Sequence, residues 1–153
     1  MIHYYWPNLS FKNIAFMWII VKNTKFYIFR SMSEKMLKFV NTKGQTPEKL
    51  SPSQRVKNFS EIYKNYIAPK AEEQSSRCSQ CGVPYCQIHC PLSNNIPDWL
   101  KLTAEGRLEE AYEISSATNN MPEVCGRICP QDRLCEGNCV IERAGHGTVI
   151  LVQ

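Results

Sequence analysis

Apolar residues recur at helical spacing in the region that precedes the first cysteine. Five of them fall at positions i, i+3, i+4, i+7 and i+8, and so share one face of a helix predicted over roughly residues 53–68: Phe59, Ile62, Tyr63, Tyr66 and Ile67. We interpret this face as a packing surface. The polar stretch over residues 71–77 predicts a further helical approach to the first cysteine.

A second helical pattern lies between residues 94 and 116. Asn94 or Asn95 can cap a helix there, and Pro97 suits its first turn. Gly106 interrupts this pattern, and a second helical face follows it at Leu108, Ala111, Tyr112 and Ser115. The sequence therefore predicts a mainly α chain in which two short helices bring the later cysteines back over the earlier ones.

The first 35 residues are a separate segment. Their longest apolar stretch, Ile14–Val21, is eight residues long and is not followed by a small-x-small cleavage site. No run of about 18 apolar residues occurs in the chain, so we predict no membrane-spanning helix and a cytoplasmic protein. We interpret residues 1–35 as a non-native or disordered extension, with Met32 or Met36 as the true start.

Charge divides the chain near the first cysteine. Residues 1–77 contain 13 Lys and Arg against 5 Asp and Glu, whereas residues 78–153 contain 5 against 9. The basic residues of the first part are dispersed rather than clustered. We therefore predict a solvated basic surface and no nucleic-acid partner.

All 8 cysteines lie between Cys78 and Cys139, in two groups. The groups read Cys78-x2-Cys81-x4-Cys86-x3-Cys90-Pro91 and Cys125-x3-Cys129-Pro130-x4-Cys135-x3-Cys139. Ordered cysteine spacing of this kind points to disulfides, zinc or an iron–sulfur centre.

Iron–sulfur chemistry is the favoured reading of the three. Disulfides need an oxidising compartment, and no convincing export signal is present. A four-thiolate zinc site uses paired short knuckles, and only Cys78 and Cys81 form a clean one. The x3-Cys-Pro ending, present twice, resembles the bacterial ferredoxin run in which the last cysteine serves the other cluster. We therefore predict two clusters with crosswise ligands, and a zinc-stabilised binding module without a redox role is the alternative.

Several motifs resemble the N-terminal domain of glutamate synthase small (beta) subunits. They are RCSQCGVPYC from Arg77, HCPL from His89, NNIPDW from Asn94, CGRICPQDRLCEGNC from Cys125 and GHGTV from Gly145. The resemblance runs from about Met36 to Val149. The same module is found at the N-terminus of dihydropyrimidine dehydrogenase.

The resemblance implies a small helical domain, alpha-helical ferredoxin-like, whose Cys-rich loops hold two [4Fe-4S] clusters. Carried over by position, the ligands of the first cluster are Cys78, Cys81, Cys86 and Cys139. Those of the second are Cys90, Cys129 and Cys135. Cys125 is spare, because its family counterpart is not a ligand. The fourth ligand of the second cluster would be a carboxylate or amide near position 155, beyond Gln153. We therefore expect one complete ligand set and one open one in this chain, so that the second cluster could be incomplete.

The family reaction implies the role of the chain. Electrons pass from NADPH to FAD and through the clusters to FMN on the large (alpha) subunit, where glutamate is made. This sequence contains no G-x-G-x-x-G turn, so we expect FAD and NADPH only in a full-length subunit and predict no catalytic residue here. We predict an electron-transfer segment, inactive alone, whose partner is the large subunit.

The predicted organisation follows from these assignments. Residues 36–77 are a polar helical lead-in, residues 78–149 the double-cluster domain, and residues 150–153 an aberrant end of a truncated fragment. Two arginines between ligands, Arg127 and Arg133, could raise a cluster potential, although surface salt bridges are the simpler role. His89 is interpreted as a packing residue, and His146 has no readable role.

Overall fold

The structure is a computed structural model that describes residues 35–64 and 66–150. The predicted extension therefore lies outside the described residues apart from residue 35, as does the predicted end apart from residue 150. The helices are α1 (Pro52–Arg55), α2 (Ala68–Ser75), α3 (Tyr85–Ile88), α4 (Ile96–Ala104), α5 (Leu108–Ser116), α6 (Pro122–Ile128) and α7 (Val140–Arg143), after a 3-10 turn at Lys38–Val40. The described residues contain no sheet, so the predicted mainly α class is confirmed.

The helix predicted over residues 53–68 is wrong. Helix α1 ends at Arg55, and the described residues between it and Ala68 form no regular helix. The side chain of Asn58 accepts a hydrogen bond from the Ser60 amide, and Glu61 accepts one from the Tyr63 amide. These local bonds give the backbone an alternative to helical pairing.

The predicted packing surface is also wrong. Phe59 is fully exposed, and Ile62 and Ile67 are exposed as well. Tyr63 forms an isolated antiparallel bridge with Lys49 instead of facing a helical neighbour. The helical spacing of these apolar residues therefore does not mark a buried face.

The two helices predicted between residues 94 and 116 are present as α4 and α5, which pack against each other. Pro97 lies in the first turn of α4, as predicted. Asn95 occupies the N-cap position, but its side chain bonds to Asp98 rather than to the helix backbone. Gly106 has a positive φ of 79°, and the Arg107 amide donates to the Leu102 carbonyl, which together end α4 and turn the chain into α5.

One apolar core carries the cysteine loops. Its buried members include Met36, Ile96, Leu100, Ile141 and Val149, together with Cys78. Four further cysteines pack against it: Cys86, Cys90, Cys135 and Cys139. The core therefore fixes both cysteine groups relative to one another. Over the residues that the structure describes, no helix is long and apolar enough to cross a bilayer.

Candidate metal centre

A small cavity lies where the first cysteine loop meets the segment that contains α7. Its volume is about 30 Å³. The cysteines that line it are Cys78, Cys81, Cys86, Cys139 and Cys135. Its other walls are mostly apolar and belong to the core, namely Ile96, Leu100, Ile141 and Val149. We call this the first cavity.

The thiols of the first cavity influence one another electrostatically. Burial raises the pKa of the Cys86 thiol to about 12, and negative charge on Cys78, Cys139 and Cys81 contributes to the rise. Burial likewise raises the pKa of Cys78. These thiols resist ionisation in the absence of a positive centre, and a bound metal centre would reverse that preference by holding them as thiolates.

Two side chains of the first loop bond directly to its sulfurs. The Gln80 amide nitrogen donates to the Pro97 carbonyl at 2.7 Å and to Cys78 Sγ at 3.4 Å. The Ser79 hydroxyl lies 3.0 Å from Cys81 Sγ. Gln80 thus ties the loop to the first turn of α4. Sequence reasoning did not assign Gln80 a role, and its position between two cysteines is the signal that could have done so.

A second, much wider cavity adjoins the same core. Its volume is about 650 Å³. The cysteines that line it are Cys90, Cys125, Cys129 and Cys135. Helices α4 and α5 contribute Trp99, Leu108, Ala111 and Tyr112 to its walls. We call this the second cavity.

The thiols of the second cavity form their own electrostatic group. Burial raises the pKa of Cys135 to about 11, and negative charge on Glu136 and on Cys90 contributes. Burial also raises the pKa of Cys129, helped by the charge of Cys125, a hydrogen bond with Cys125 and the charge of Cys90. Cys125, predicted as spare, therefore lies beside a predicted ligand.

The structure thus places the predicted ligands in two sets. Those predicted for the first cluster line the first cavity, and those predicted for the second line the second cavity. Cys135 lines both cavities, but its charged neighbours are Glu136 and Cys90. All eight cysteines carry free thiols. In the described part of the chain, no three His, Cys, Asp or Glu side chains are grouped so as to hold a single metal ion.

The loop between Cys129 and Cys139 owes its shape to tight turns. Cys129 leaves α6 in an extended conformation, and Cys139 is extended before α7 begins. Between them, the Gln131 carbonyl accepts hydrogen bonds from the amides of Glu136 and Gly137. A Cβ at Gly137 would lie 1.8 Å from the Asp132 carbonyl oxygen, so only glycine fits there.

The chemistry of the two donor sets suits iron–sulfur clusters. Thiolates are the usual ligands of such clusters, and apolar walls with hydrogen bonds to sulfur are the means by which proteins tune them. A family model described as dihydropyrimidine dehydrogenase domain II, 4Fe-4S cluster, matches residues 55–153. This chain belongs to that family.

The 4Fe-4S domain has several similar relatives. The glutamate synthase [NADPH] small chain of Azospirillum brasilense is 64% identical over 119 residues, which are 78% of this chain and 25% of the relative. That of Escherichia coli K12 is 48% identical over 110 residues, 72% and 23% of the two chains. The putative oxidoreductase AegA of the same organism is 46% identical over 106 residues, 69% and 16%. The chain thus spans about a quarter of the length of these small chains.

The arginines and histidines singled out in the sequence are exposed or contact residues outside the two sets of cysteines. Arg127 forms an ion pair with Glu61 at 2.5 Å, so the simpler of its two predicted roles is present. Arg133 is exposed. His89 is exposed as well, so its prediction as a packing residue is wrong. His146 meets the ring of Phe39 edge-on, with 5.3 Å between ring centroids.

Proposed function

We propose that the 4Fe-4S domain holds two [4Fe-4S] clusters and serves as an electron-transfer segment of a glutamate synthase small subunit. One observation carries this proposal: the cysteines divide between two adjacent cavities, as a pair of clusters requires. In this reading residues 78–149 are the double-cluster domain and residues 36–77 its lead-in.

The proposed ligands of the first cluster are Cys78, Cys81, Cys86 and Cys139. The proposed cysteine ligands of the second are Cys90, Cys129 and Cys135. Of the two cavities, Cys78, Cys81, Cys86 and Cys139 line the first alone, and Cys90 and Cys129 line the second alone, which supports this division. Cys125 stays outside the ligand set, because the family resemblance gives the second cluster a carboxylate or amide as its fourth ligand.

The side chains of this domain would bind the clusters and exclude water from them. When bound, each cluster supplies reversible one-electron chemistry. Around the first cavity, Ile96, Leu100 and Ile141 exclude water, and Gln80 offers a hydrogen bond to the Cys78 sulfur. Cys135 stands in the wall common to both cavities, which supports a short path for electrons between them.

The whole subunit extends the proposal beyond this domain. Relatives named glutamate synthase [NADPH] small chain support NADPH as the electron source. By resemblance, FAD would receive those electrons in a full-length subunit, and the large subunit would be the partner that takes them onward. We place the protein in the cytoplasm, as glutamate biosynthesis from 2-oxoglutarate would require.

Anaerobic purification with iron, sulfide and zinc analysis tests the proposal. We expect a brown protein with about four iron and four sulfide for each assembled cluster. Reduction should produce electron paramagnetic resonance signals from both clusters. A colourless protein that carries zinc would contradict the proposal and favour the zinc-stabilised module.

A further inference from the structure

Arg77 is the largest side chain that is wholly buried among the described residues, with 0% exposure. Its guanidinium donates four hydrogen bonds, and every acceptor is a backbone carbonyl. Nε donates to Thr42 at 2.9 Å, Nη1 to Thr148 at 2.5 Å, and Nη2 to His146 at 2.9 Å and Gly147 at 2.7 Å. One side chain therefore joins the lead-in to the segment that follows α7.

These acceptors leave the charge of Arg77 without a carboxylate partner. None of the ion pairs found among residues 35–64 and 66–150 involves Arg77. A buried positive charge is costly unless negative charge nearby compensates it. Burial lowers the pKa of Arg77, and negative charge on Cys139 and on Glu142 opposes that shift. Guanidinium groups nevertheless stay protonated in proteins.

Part of the compensating charge belongs to the first cavity, which Cys139 lines. Arg77 directly precedes Cys78, and Cys139, a proposed ligand of the same cluster, is the first of the two negative groups that act on it. Thr148 and Val149 line the first cavity, and Arg77 holds the Thr148 carbonyl. Arg77 therefore stands behind the cavity wall and fixes part of it.

The backbone is shaped to admit this side chain. A Cβ at Gly44 would lie 2.8 Å from Nη1 of Arg77, so the lead-in approaches the guanidinium as closely as glycine allows. Gly147 has a positive φ of 73°, and a Cβ there would lie 3.9 Å from Nη2. The close approach at Gly44 therefore limits the room around the guanidinium, and the positive φ of Gly147 favours glycine there.

We propose that Arg77 is a positioning residue that supplies the counter-charge of the first cluster. This inference rests on the proposed function. Reduction adds one electron to a centre already surrounded by thiolates, and a nearby fixed positive charge favours that step. Because the charge is buried, salt screens it far less than it screens an exposed arginine. The guanidinium therefore raises the potential of the first cluster and leaves that of the second almost unchanged.

The test is a redox titration of both clusters in the complete chain, followed by electron paramagnetic resonance. A Cys129→Ser variant, which loses a proposed ligand of the second cluster, assigns the signals. We expect Arg77→Gln to lower the equilibrium constant for reduction of the first cluster about tenfold, or about 59 mV for one electron. Arg77→Lys keeps the charge and should stay within about threefold of the wild type, which is about 28 mV or half of one decade.

Two matched variants separate charge from packing. Arg133→Gln removes an exposed arginine and should shift the first potential less, with the shift vanishing at high salt. Gly44→Ala crowds the guanidinium without removing it, so it should lower the unfolding temperature while the potential stays. Equal shifts of both clusters, no shift in Arg77→Gln, or equal shifts in Arg77→Gln and Arg77→Lys would overturn the inference.

If Arg77→Gln does not bind its first cluster, the iron and sulfide content of the Arg77 variants replaces the redox titration as the test. Arg77→Leu then serves as the second neutral variant. Loss of loading in both neutral variants, with loading kept in Arg77→Lys, would support a need for the charge itself. Loss in all three would overturn the inference and leave Arg77 a packing residue. A wild-type chain without clusters would overturn the proposed function together with this inference, whereas a loaded wild type with unshifted variants overturns only the inference.

Discussion

The two cavities place the same kind of ligand in opposite surroundings. The first has a volume of about 30 Å³ and is walled by core residues, whereas the second has about 650 Å³. Each has an arginine near its cysteines that bonds to a residue of the lead-in. Arg77 is wholly buried and bonds to the Thr42 carbonyl, while Arg127 is partly exposed and pairs with Glu61. Burial, rather than cysteine spacing, distinguishes the two sites.

Because the two sites differ in burial, nearby charges and dipoles should affect them to different degrees. Charges and dipoles in a small apolar site act more strongly, because less solvent screens them. At the second site, water and salt weaken the influence of any single residue. We therefore expect single substitutions to alter the first site more than the second.

Substitution of a cysteine should have the largest effect, and it tests whether the two sites are separate. Cys139→Ser should abolish the first cluster and leave the second, which halves the iron content. Cys125→Ser, the matched control, should keep both clusters, because Cys125 is not a proposed ligand. Iron and sulfide analysis of both variants checks this. Loss of both clusters in Cys139→Ser would show that the sites do not assemble independently.

A glycine substitution should damage the second cysteine group nearly as severely. In Gly137→Ala the new Cβ would lie 1.8 Å from the Asp132 carbonyl, so the loop must shift, at a cost of about 3 kcal/mol. Thermal unfolding and iron content measure the effect. Gly82→Ala is the control, because no heavy atom lies within 4 Å of its Cβ position. Equal behaviour of the two variants would contradict the described turn.

Chelation should reveal the difference in access. An iron chelator added to the oxidised protein should remove the second cluster several-fold faster than the first, because the second cavity is far wider. The two rates are followed by electron paramagnetic resonance after reduction of timed samples. Equal rates would mean that cavity width does not control access to the iron.

The smallest expected effect is at the exposed arginine. Arg127→Gln removes the ion pair with Glu61, in which both side chains are 39% exposed. Pairs of this kind contribute about 0.2–1 kcal/mol. A double-mutant cycle with Glu61→Gln, measured by urea unfolding at low and high salt, isolates the pair. A coupling energy that does not fall with salt would place this pair in the same class as the buried contacts of Arg77.

Local signals explain which parts of the fold the sequence could predict. The start and end of α4 could be predicted because Pro97 and Gly106 each determine the backbone conformation within one turn of their own position. The helix expected around Phe59 failed because Asn58 and Glu61 bond to nearby amides, a competition that apolar periodicity does not register.

The parts of the site that depend on residue type and spacing could be predicted from the sequence. Cysteine spacing indicated two metal centres, and the resemblance proposed which cysteines belong together. Arg77 escaped notice because its importance depends on burial and on carbonyls from positions 42 and 146–148, which only the folded chain brings together. Gln80 escaped for a similar reason, since its bond to Pro97 spans 17 residues.

The hydrogen bonds of Arg77 also bring two distant parts of the chain together. The carbonyls of Thr42 and Thr148 are held by a single guanidinium, so the chain enters and leaves the domain at one place. Domains whose ends lie close together tolerate insertion into longer proteins. The module can therefore be joined to different neighbours at this one place, which lies next to the wall of the first cavity.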